Sequence, residues 1–197
     1  MHRTIINRKV CICKNKLNKN INFGNLPLIN DYTVSKNLKK YPVVISQCRN
    51  CLLIQLKYSI PDNLLFSDNY SYLSGNSKEK IKNFESILNK IKKYSKNTIP
   101  KILDIGSNDG SFLELAKKKH FKVLGVEPTN TAKISRQKGI NTIKKPLDLN
   151  LAKKINKKYS KFDFVVATNF FAQTNNLEEI LNSVKLILKK DGLLIVE

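Results

Sequence analysis

The chain has 197 residues, of which 26% are charged and 41% hydrophobic, and its 36 lysines and arginines against 15 aspartates and glutamates give a formal net charge of +21. This apolar fraction excludes a disordered chain, and the length suits one domain with a small appendage better than two large domains. No apolar run approaches the roughly 18 residues of a membrane span, and residues 1–8 lack the apolar stretch of a secretory signal, so we expect a soluble, cytoplasmic protein.

The positive charge is spread along the chain and comes almost entirely from lysine. The arginines are Arg3, Arg8, Arg49 and Arg136. Nucleic-acid-binding proteins usually cluster basic residues on one face and use arginine for bidentate contacts. The pattern therefore favours a solvated lysine-rich surface that attracts anionic ligands, with nucleic-acid binding as the weaker interpretation.

All four cysteines lie within the first 51 residues, as Cys11, Cys13, Cys48 and Cys51. In a cytoplasmic protein this clustering favours a metal site over disulfides, and four thiolates complete a tetrahedral zinc shell. The CxxC spacing of the second pair is typical of zinc ligands, whereas the CxC spacing of the first pair is less regular. It remains open whether Cys11 and Cys13 are both ligands, and incidental thiols or a redox pair are the weaker alternatives.

Short elements are predicted in the N-terminal part of the chain. Alternating residues indicate strands at 23–29 and 41–46, and an apolar run indicates a third at 52–56. Residues 61–74 have no regular pattern but contain Phe66, Tyr70 and Tyr72. A capping box formed by Asn76 and Glu79 then predicts a helix that ends near residue 95.

Strands and helices alternate from residue 101 onward. Strands are predicted at 102–105, 122–126, 141–143, 162–167 and 193–196, and helices at 111–119, 129–138, 148–159 and 177–189. This order predicts an α/β fold with a Rossmann-like, doubly wound parallel sheet. We expect a small Cys₄ zinc-binding domain at 1–60, an aromatic linker and helix at 61–98, and the Rossmann-like domain at 99–197.

The turn after the first strand of this sheet indicates a ligand. Its sequence, DIGSNDG, runs from Asp104 to Gly110, and its two glycines allow a tight turn close to a ligand. A diphosphate-binding turn usually reads GxGxxG, but here Asn108 replaces the middle glycine and Asp109 follows it. Acidic side chains suit a cation such as S-adenosylmethionine, and Glu127, at the end of the next strand, can accept both ribose hydroxyls. Taken singly, these acids can also be helix caps or solvated strand ends.

Five segments in this order resemble a known family. They are CRNCLLIQL at 48–56, YSYLS at 70–74, SNDGS at 107–111, GVEP at 125–128 and TNFFA at 168–172. The chain is similar to the zinc-containing class I S-adenosylmethionine-dependent C-methyltransferases that act on nucleotide-linked deoxysugars. The resemblance implies that Cys11, Cys13, Cys48 and Cys51 bind zinc and that Tyr70 and Tyr72 contact the substrate. It implies cofactor contacts from Asp104, Gly106, Ser107, Asn108, Asp109, Gly110, Glu127, Pro128 and Asn169.

Two departures from the family pattern limit the expected activity. Gln173 stands where the family carries a histidine, and an amide cannot exchange protons near neutral pH. His2 and His120 are expected far from the strand ends, which leaves no evident base for C-methylation. Because relatives continue beyond residue 197, we expect a truncated chain whose catalysis needs a further C-terminal domain. A non-catalytic S-adenosylmethionine- or nucleotide-sugar-binding remnant, and a methyltransferase acting at O or N of another small molecule, are the alternatives.

Overall fold

The structure, a computed structural model, describes residues 5–28, 38–68 and 70–197. Contacts along the chain divide it into two compact units, residues 1–67 and 68–197. The predicted domain boundaries at residues 60 and 98 stay predictions. Within the described ranges, no helix combines the length and the apolar character needed to cross a membrane.

The first unit is built from short antiparallel strands. They are β1 (Ile6–Asn7), β2 (Leu17–Pro27), β3 (Lys40–Cys48), β4 (Ile54–Leu56) and β5 (Tyr58–Ser59), followed by a single-turn helix, α1 (Asp62–Leu65). Strands β2, β3 and β4 form one antiparallel sheet, and β1 pairs with β5.

The strand predicted at 23–29 is incorrectly placed at its start. Strand β2 begins at Leu17, where it pairs with Cys48 of β3, and residue 29 lies outside the described residues. Most of β2 is exposed, and its first half consists largely of polar residues. It therefore lacks the alternation of apolar and polar residues that would indicate a strand. Backbone pairing with β3 is what defines it. Helix α1 likewise replaces part of the irregular segment expected at 61–74.

The second unit alternates helices and strands after a 3₁₀ turn at Ser74–Asn76. In chain order the elements are α2 (Lys78–Tyr94), β6 (Lys101–Ile105), α3 (Ser111–Lys118), β7 (Lys122–Val126), α4 (Thr131–Gln137), β8 (Thr142–Ile143), α5 (Leu149–Tyr159), β9 (Phe162–Ala167), α6 (Leu177–Ile187) and β10 (Leu188–Val196). The five strands form one sheet in the order β10-β9-β6-β7-β8, and every neighbouring pair is parallel. The predicted parallel α/β sheet is confirmed.

Alternating residues of the central strands bury two separate cores, one on each face of the sheet. In β9, Phe164 and Val166 pack with apolar residues of α2 and α3. Val165 and Ala167 pack instead with residues of α5 and α6. A parallel sheet covered on both faces buries its strands completely, and all six residues of β9 are buried. The carboxyl ends of the strands are the edge where such sheets bind ligands.

Two element boundaries differ from prediction for local reasons. Helix α2 is capped by Ser77, whose Oγ accepts a hydrogen bond from the N–H of Lys80 at 3.2 Å, so the capping box assigned to Asn76 and Glu79 is wrong by one residue. Strand β10 begins five residues before its predicted start and is irregular between Leu188 and Leu193. Its first residues are partly exposed, which hides a strand from a search for apolar runs.

Candidate metal centre and cofactor site

The four cysteines come together in two tight turns of the first unit. In the first turn, the N–H of Lys14 donates to the carbonyl of Cys11 and the N–H of Cys11 donates to the carbonyl of Asn15, both at 2.8 Å. In the second, the N–H of Cys48 donates to the carbonyl of Leu53 at 3.0 Å. Lys14 and Leu52 have φ values of 67° and 61°, so each turn closes through the left-handed region directly after its cysteine pair.

The four sulfur atoms are spaced as a tetrahedral metal site requires. All four Sγ atoms lie within 4.8 Å of one another, and two cross-turn pairs, Cys11 with Cys51 and Cys13 with Cys48, are 3.5 Å apart. Four thiolates at the usual Zn–S distance are separated by about 3.8 Å, so a small contraction or expansion around zinc completes the shell. Hydrogen bonds from the backbone and side chain of Asn15 lower the pKa of Cys13 to about 6. Because all four sulfur atoms lie within 4.8 Å of one another, both sulfurs of the CxC pair are within reach of one ion.

The predicted cofactor turn lies at the carboxyl edge of the parallel sheet. It follows β6, and the N–H groups of Gly106 and Ser107 both donate to the carbonyl of Val126 at the end of β7, at 2.9 and 3.2 Å. Gly110 has a φ of 76°, and a Cβ there would collide with the side chain of Ser135. Gly106 has a φ of 71°, and a Cβ there would lie 3.2 Å from the ring of Phe170. The two glycines are thus required both by conformation and by space.

Asp104, the first acid of the turn, is a buried carboxylate with an unused oxygen. It is 2% exposed, and its Oδ1 has no hydrogen-bond partner among the described residues. Burial, and then the negative charge of Glu127, raise the pKa of Asp104 well above its usual range, while the ammonium of Lys80 acts in the opposite direction. A cation bound near this edge would relieve the unfavourable charge.

Glu127 directly follows β7 and is held on both carboxylate oxygens. Its Oε2 accepts from the N–H of Asn108 at 2.9 Å, and its Oε1 accepts from the N–H of Thr129 at 2.8 Å. The side chain is 4% exposed. Two amide hydrogen bonds fix the carboxylate, and each oxygen keeps a second lone pair for a hydroxyl donor.

The side chains of Asn108 and Asp109 bind neighbouring protein groups. The side-chain amide of Asn108 donates to the carbonyl of Tyr72 and accepts from the N–H of Ser74. Asp109 accepts from the N–H of Gly75 and from the N–H and hydroxyl of Ser111. Lys138 pairs with Asp109 at 3.1 Å. Direct contact of these two side chains with the cofactor stays a prediction, and their observed partners are within the protein.

The structure also describes the surroundings of most of the remaining predicted site residues. Pro128 follows Glu127 and is partly exposed, and Asn169, beyond β9, is exposed with a φ of 54°. Tyr72 is 42% exposed, Tyr70 is half-buried, and the Oγ of Ser107 is buried without a hydrogen-bond partner in the described part of the chain. Gln173 donates from Nε2 to the carbonyl of Asn169 at 2.7 Å. His120 lies beyond the far end of α3, and His2 is outside the described residues.

Sequence reasoning missed an ion pair at this edge. Lys80 of α2 contacts Oε2 of Glu197 at 2.7 Å, and the amide of Asn83 donates to Oε1 of Glu197 at 3.0 Å. Glu197 follows β10, and its carbonyl accepts from the N–H of Asn169 at 2.9 Å. Glu197 directly follows a strand, as Glu127 does. A search for acidic residues directly after each predicted strand would therefore also have identified Glu197.

The fold and these sites define a class of protein: a Rossmann-like sheet with buried acids at its ligand-binding edge, together with a four-cysteine unit. Residues 65–197, more than half of the chain, match the family model described as "Methyltransferase domain", and residues 11–66 match one described as "Putative zinc binding domain". The chain belongs to the methyltransferase-domain family. This confirms the resemblance to zinc-containing class I methyltransferases and agrees with the predicted cofactors, S-adenosylmethionine and zinc.

Individual relatives are more distant. The chain is 26% identical over 183 residues to the C-methyltransferase NovU of Streptomyces niveus, an alignment that covers 90% of this chain and 43% of the relative. The PH0226 protein of Pyrococcus horikoshii OT3 has 26% identity and a TM-score of 0.49, covering 64% of this chain and 60% of that one. The plantazolicin methyltransferase BpumL, solved with SAH, has 21% identity and a TM-score of 0.50, covering 68% and 52%. The chain thus spans less than half the length of the curated relative that it matches.

Proposed function

We propose that this chain binds S-adenosylmethionine at the carboxyl edge of its parallel sheet and is a methyltransferase that acts at carbon on a nucleotide-linked keto-deoxysugar. The observation that carries the proposal is the pair of buried carboxylates, Asp104 and Glu127, on adjacent strands around the Gly106 turn. When bound, S-adenosylmethionine supplies a methyl group activated by a positively charged sulfur.

The residues at this edge fit such a ligand. Oδ1 of Asp104 has no partner in the described part of the chain and can accept a hydrogen bond from a ligand ammonium, and a cationic ligand would favour the ionised form of this acid. The remaining lone pairs of Glu127 suit vicinal hydroxyl donors, as on a ribose. Gly106 and Gly110 give the turn its positive φ values and let it pack closely against Phe170 and Ser135. Ser107 and Asn169 lie where they can donate or accept further hydrogen bonds.

The acceptor assignment rests on the resemblance and on the aromatic segment. Tyr70 and Tyr72 precede α2 and can stack against a sugar or a nucleotide base. The relative NovU is named a C-methyltransferase, and its alignment with this chain spans both units. Methylation beside a keto group needs a base to remove a proton from carbon, and Gln173 cannot act as one. We therefore propose that a group other than Gln173 supplies the base.

Calorimetric titration of the full chain with S-adenosylhomocysteine tests the cofactor proposal. We expect saturable binding by the wild-type chain, weakened at least tenfold by Asp104→Asn and by Glu127→Gln. Asp191→Asn is the matched control, because Asp191 is exposed and its charge change is the same. Absence of binding by wild type, or equal affinity in all variants, would refute the proposal.

A non-catalytic binding module is the second candidate, and Gln173 favours it. Its amide donates to the carbonyl of Asn169 and so organises the loop without offering a titratable proton. Incubation with labelled S-adenosylmethionine and a panel of keto-sugar nucleotides separates the two. Label in the product, located at carbon by NMR, supports the C-methyltransferase, and label at oxygen or nitrogen supports the alternative acceptor chemistry. Cofactor binding with no label transferred supports the binding module.

A further inference from the structure

A hydrogen-bond network connects the cofactor turn to the aromatic segment, which we define as residues 70–76. Asn108 is at its centre. Its Nδ2 donates to the carbonyl of Tyr72 at 2.9 Å, and its Oδ1 accepts from the N–H of Ser74 at 3.0 Å. Asn108 has a φ of 51°, in the left-handed region that asparagine tolerates better than most residues. Its side-chain amide therefore holds the backbone of the aromatic segment on both sides of Leu73.

A second hydrogen bond joins the next residue of the turn, Asp109, to the next residue of the aromatic segment, Gly75. Oδ2 of Asp109 accepts from the N–H of Gly75 at 3.2 Å and is itself held by Ser111 and Lys138. A Cβ on Gly75 would lie 2.5 Å from the Oγ of Ser111 and 2.7 Å from that same Oδ2. A larger residue would have to displace these two side chains, so glycine lets the aromatic segment lie directly on the turn.

The same asparagine also contacts the proposed ribose-binding residue. Its backbone N–H donates to Oε2 of Glu127, which is buried and held by a second amide on its other oxygen. Asn108 is thus bonded through its backbone to Glu127 and through its side chain to Tyr72 and Ser74. A ligand that restrains the Glu127 carboxylate restrains the Asn108 peptide, and this restraint is passed on to the aromatic segment.

We propose that Asn108 is a positioning residue that couples occupancy at Glu127 to the placement of the aromatic segment, so that the acceptor side of the site is completed when the cofactor is bound. The inference rests on the proposed function, and it adds an energetic coupling between the cofactor side and the acceptor side of the site. Because coupling between two ligands is reciprocal, an acceptor that orders the aromatic segment also tightens cofactor binding.

Hydrogen exchange at the N–H groups of Ser74 and Gly75 provides the test, because these groups donate directly to the turn. The full chain is measured by NMR with and without saturating S-adenosylhomocysteine. In wild type we expect the ligand to slow exchange of both amides at least fivefold. Asn108→Gly keeps the left-handed backbone accessible and deletes both side-chain hydrogen bonds, so the ligand should no longer slow Ser74.

Two further variants make the outcome decisive. His120→Gly introduces a glycine at another residue of positive φ, 66°, away from the site, and should retain the wild-type response. Gly75→Ala leaves Asn108 intact but displaces the aromatic segment by collision, and should lose the response at both amides. If the ligand binds wild type without slowing exchange, or slows it equally in Asn108→Gly, the inference is refuted while the proposed function stands. If the ligand does not bind wild type, the proposed function is refuted and the inference with it.

Discussion

Lys80 and Glu197, which are 117 residues apart in sequence, form a 2.7 Å ion pair between the first turn of α2 and the residue that follows β10. The pair joins the helix after the aromatic segment to the carboxyl edge of the sheet. Lys80 is largely buried, with a side chain 12% exposed, whereas Glu197 is 38% exposed. Burial and the charge of Glu127 raise the pKa of Asp104, and the ammonium of Lys80 opposes this rise.

Substitution Lys80→Gln is expected to cost less than about 1 kcal/mol of unfolding free energy, since a partly exposed pair is screened by water and salt. Lys82→Gln, on an exposed position of the same helix, is the matched control and should be neutral. Urea denaturation of both single variants, of Glu197→Gln and of the double variant measures the coupling. Strictly additive effects would show that the contact contributes nothing.

Asp104→Asn is expected to stabilise the ligand-free chain at alkaline pH by about 1–2 kcal/mol. The pKa of Asp104 is raised in the folded state, so between the unfolded pKa near 4 and the folded pKa the folded chain keeps a proton that the unfolded chain releases. The unfolding free energy of the wild-type chain therefore falls as pH rises through this window. The Asp104→Asn variant has no titrating group at this position and does not lose this free energy. Melting temperatures of both chains at pH 4 and pH 8 measure it, and a benefit that is larger at pH 4 would contradict the assignment.

The same substitution should weaken S-adenosylhomocysteine binding. A variant that gains stability and loses affinity identifies a carboxylate retained for a ligand and not for folding. The exposed control Asp191→Asn should change neither quantity.

Asp163→Asn is expected to have the opposite effect on stability. At the amino-terminal edge of the sheet, Asp163 is bonded to Lys189 at 2.6 Å, to the N–H of Lys101 at 2.8 Å and to the amide of Asn97. Burial raises the pKa of Asp163, but the hydrogen bonds from Lys189, Lys101 and Asn97 together outweigh it and lower that pKa. The ionised Asp163 therefore contributes to the unfolding free energy. This contribution is complete above the unfolded pKa near 4 and is lost as pH falls through the lowered pKa of the folded chain.

At pH 7 we expect Asp163→Asn to lose about 1–3 kcal/mol of unfolding free energy, with the difference from wild type shrinking below pH 4. Chemical denaturation across this pH range measures the loss. A deficit that stays constant down to pH 2 would show that the role of Asp163 is independent of its charge.

Zinc is expected at about one ion per chain, with all four cysteines as ligands. Cys48→Ser and Cys13→Ser should each abolish stoichiometric zinc, measured by elemental analysis after dialysis, and should selectively destabilise the first unit. Arg49→Ser is the control within the same turn. Arg49 lies between Cys48 and Cys51 and is not a ligand, so its substitution leaves both cysteines in place. Retention of zinc by Cys13→Ser would leave the CxC pair with a single ligand.

The sheet could be predicted from sequence because each of its strands carries a local signal. The buried runs of β6, β7 and β9 are short, apolar and separated by amphipathic helices, and the position of Glu127 follows from strand order alone. The four cysteines were identified by type and spacing. The parallel sheet and the clustering of the four cysteines therefore followed from short local patterns, whereas the cofactor-binding residues stay a prediction.

What sequence reasoning missed depends on distant partners. Asn108 and Asp109 were assigned to the cofactor, but their side chains bond to backbone groups 34 to 36 residues earlier in the chain, which no local pattern reveals. The Lys80–Glu197 pair is of the same kind. The prediction placed the start of strand β2 too late, because its first residues are exposed and polar and show no apolar alternation. Backbone hydrogen bonds to β3 are what form this strand.

The ladder between β2 and β3 has its metal site at one end. Leu17 pairs with Cys48 beside the cysteine turns, whereas Pro27 pairs with Lys40 at the other end, eight or more residues away along each strand. Because Leu17 and Cys48 are partners, the register of β2 against β3 fixes how close the two cysteine turns lie to each other. A metal ion bound by both turns would in return hold this register at its sulfur end.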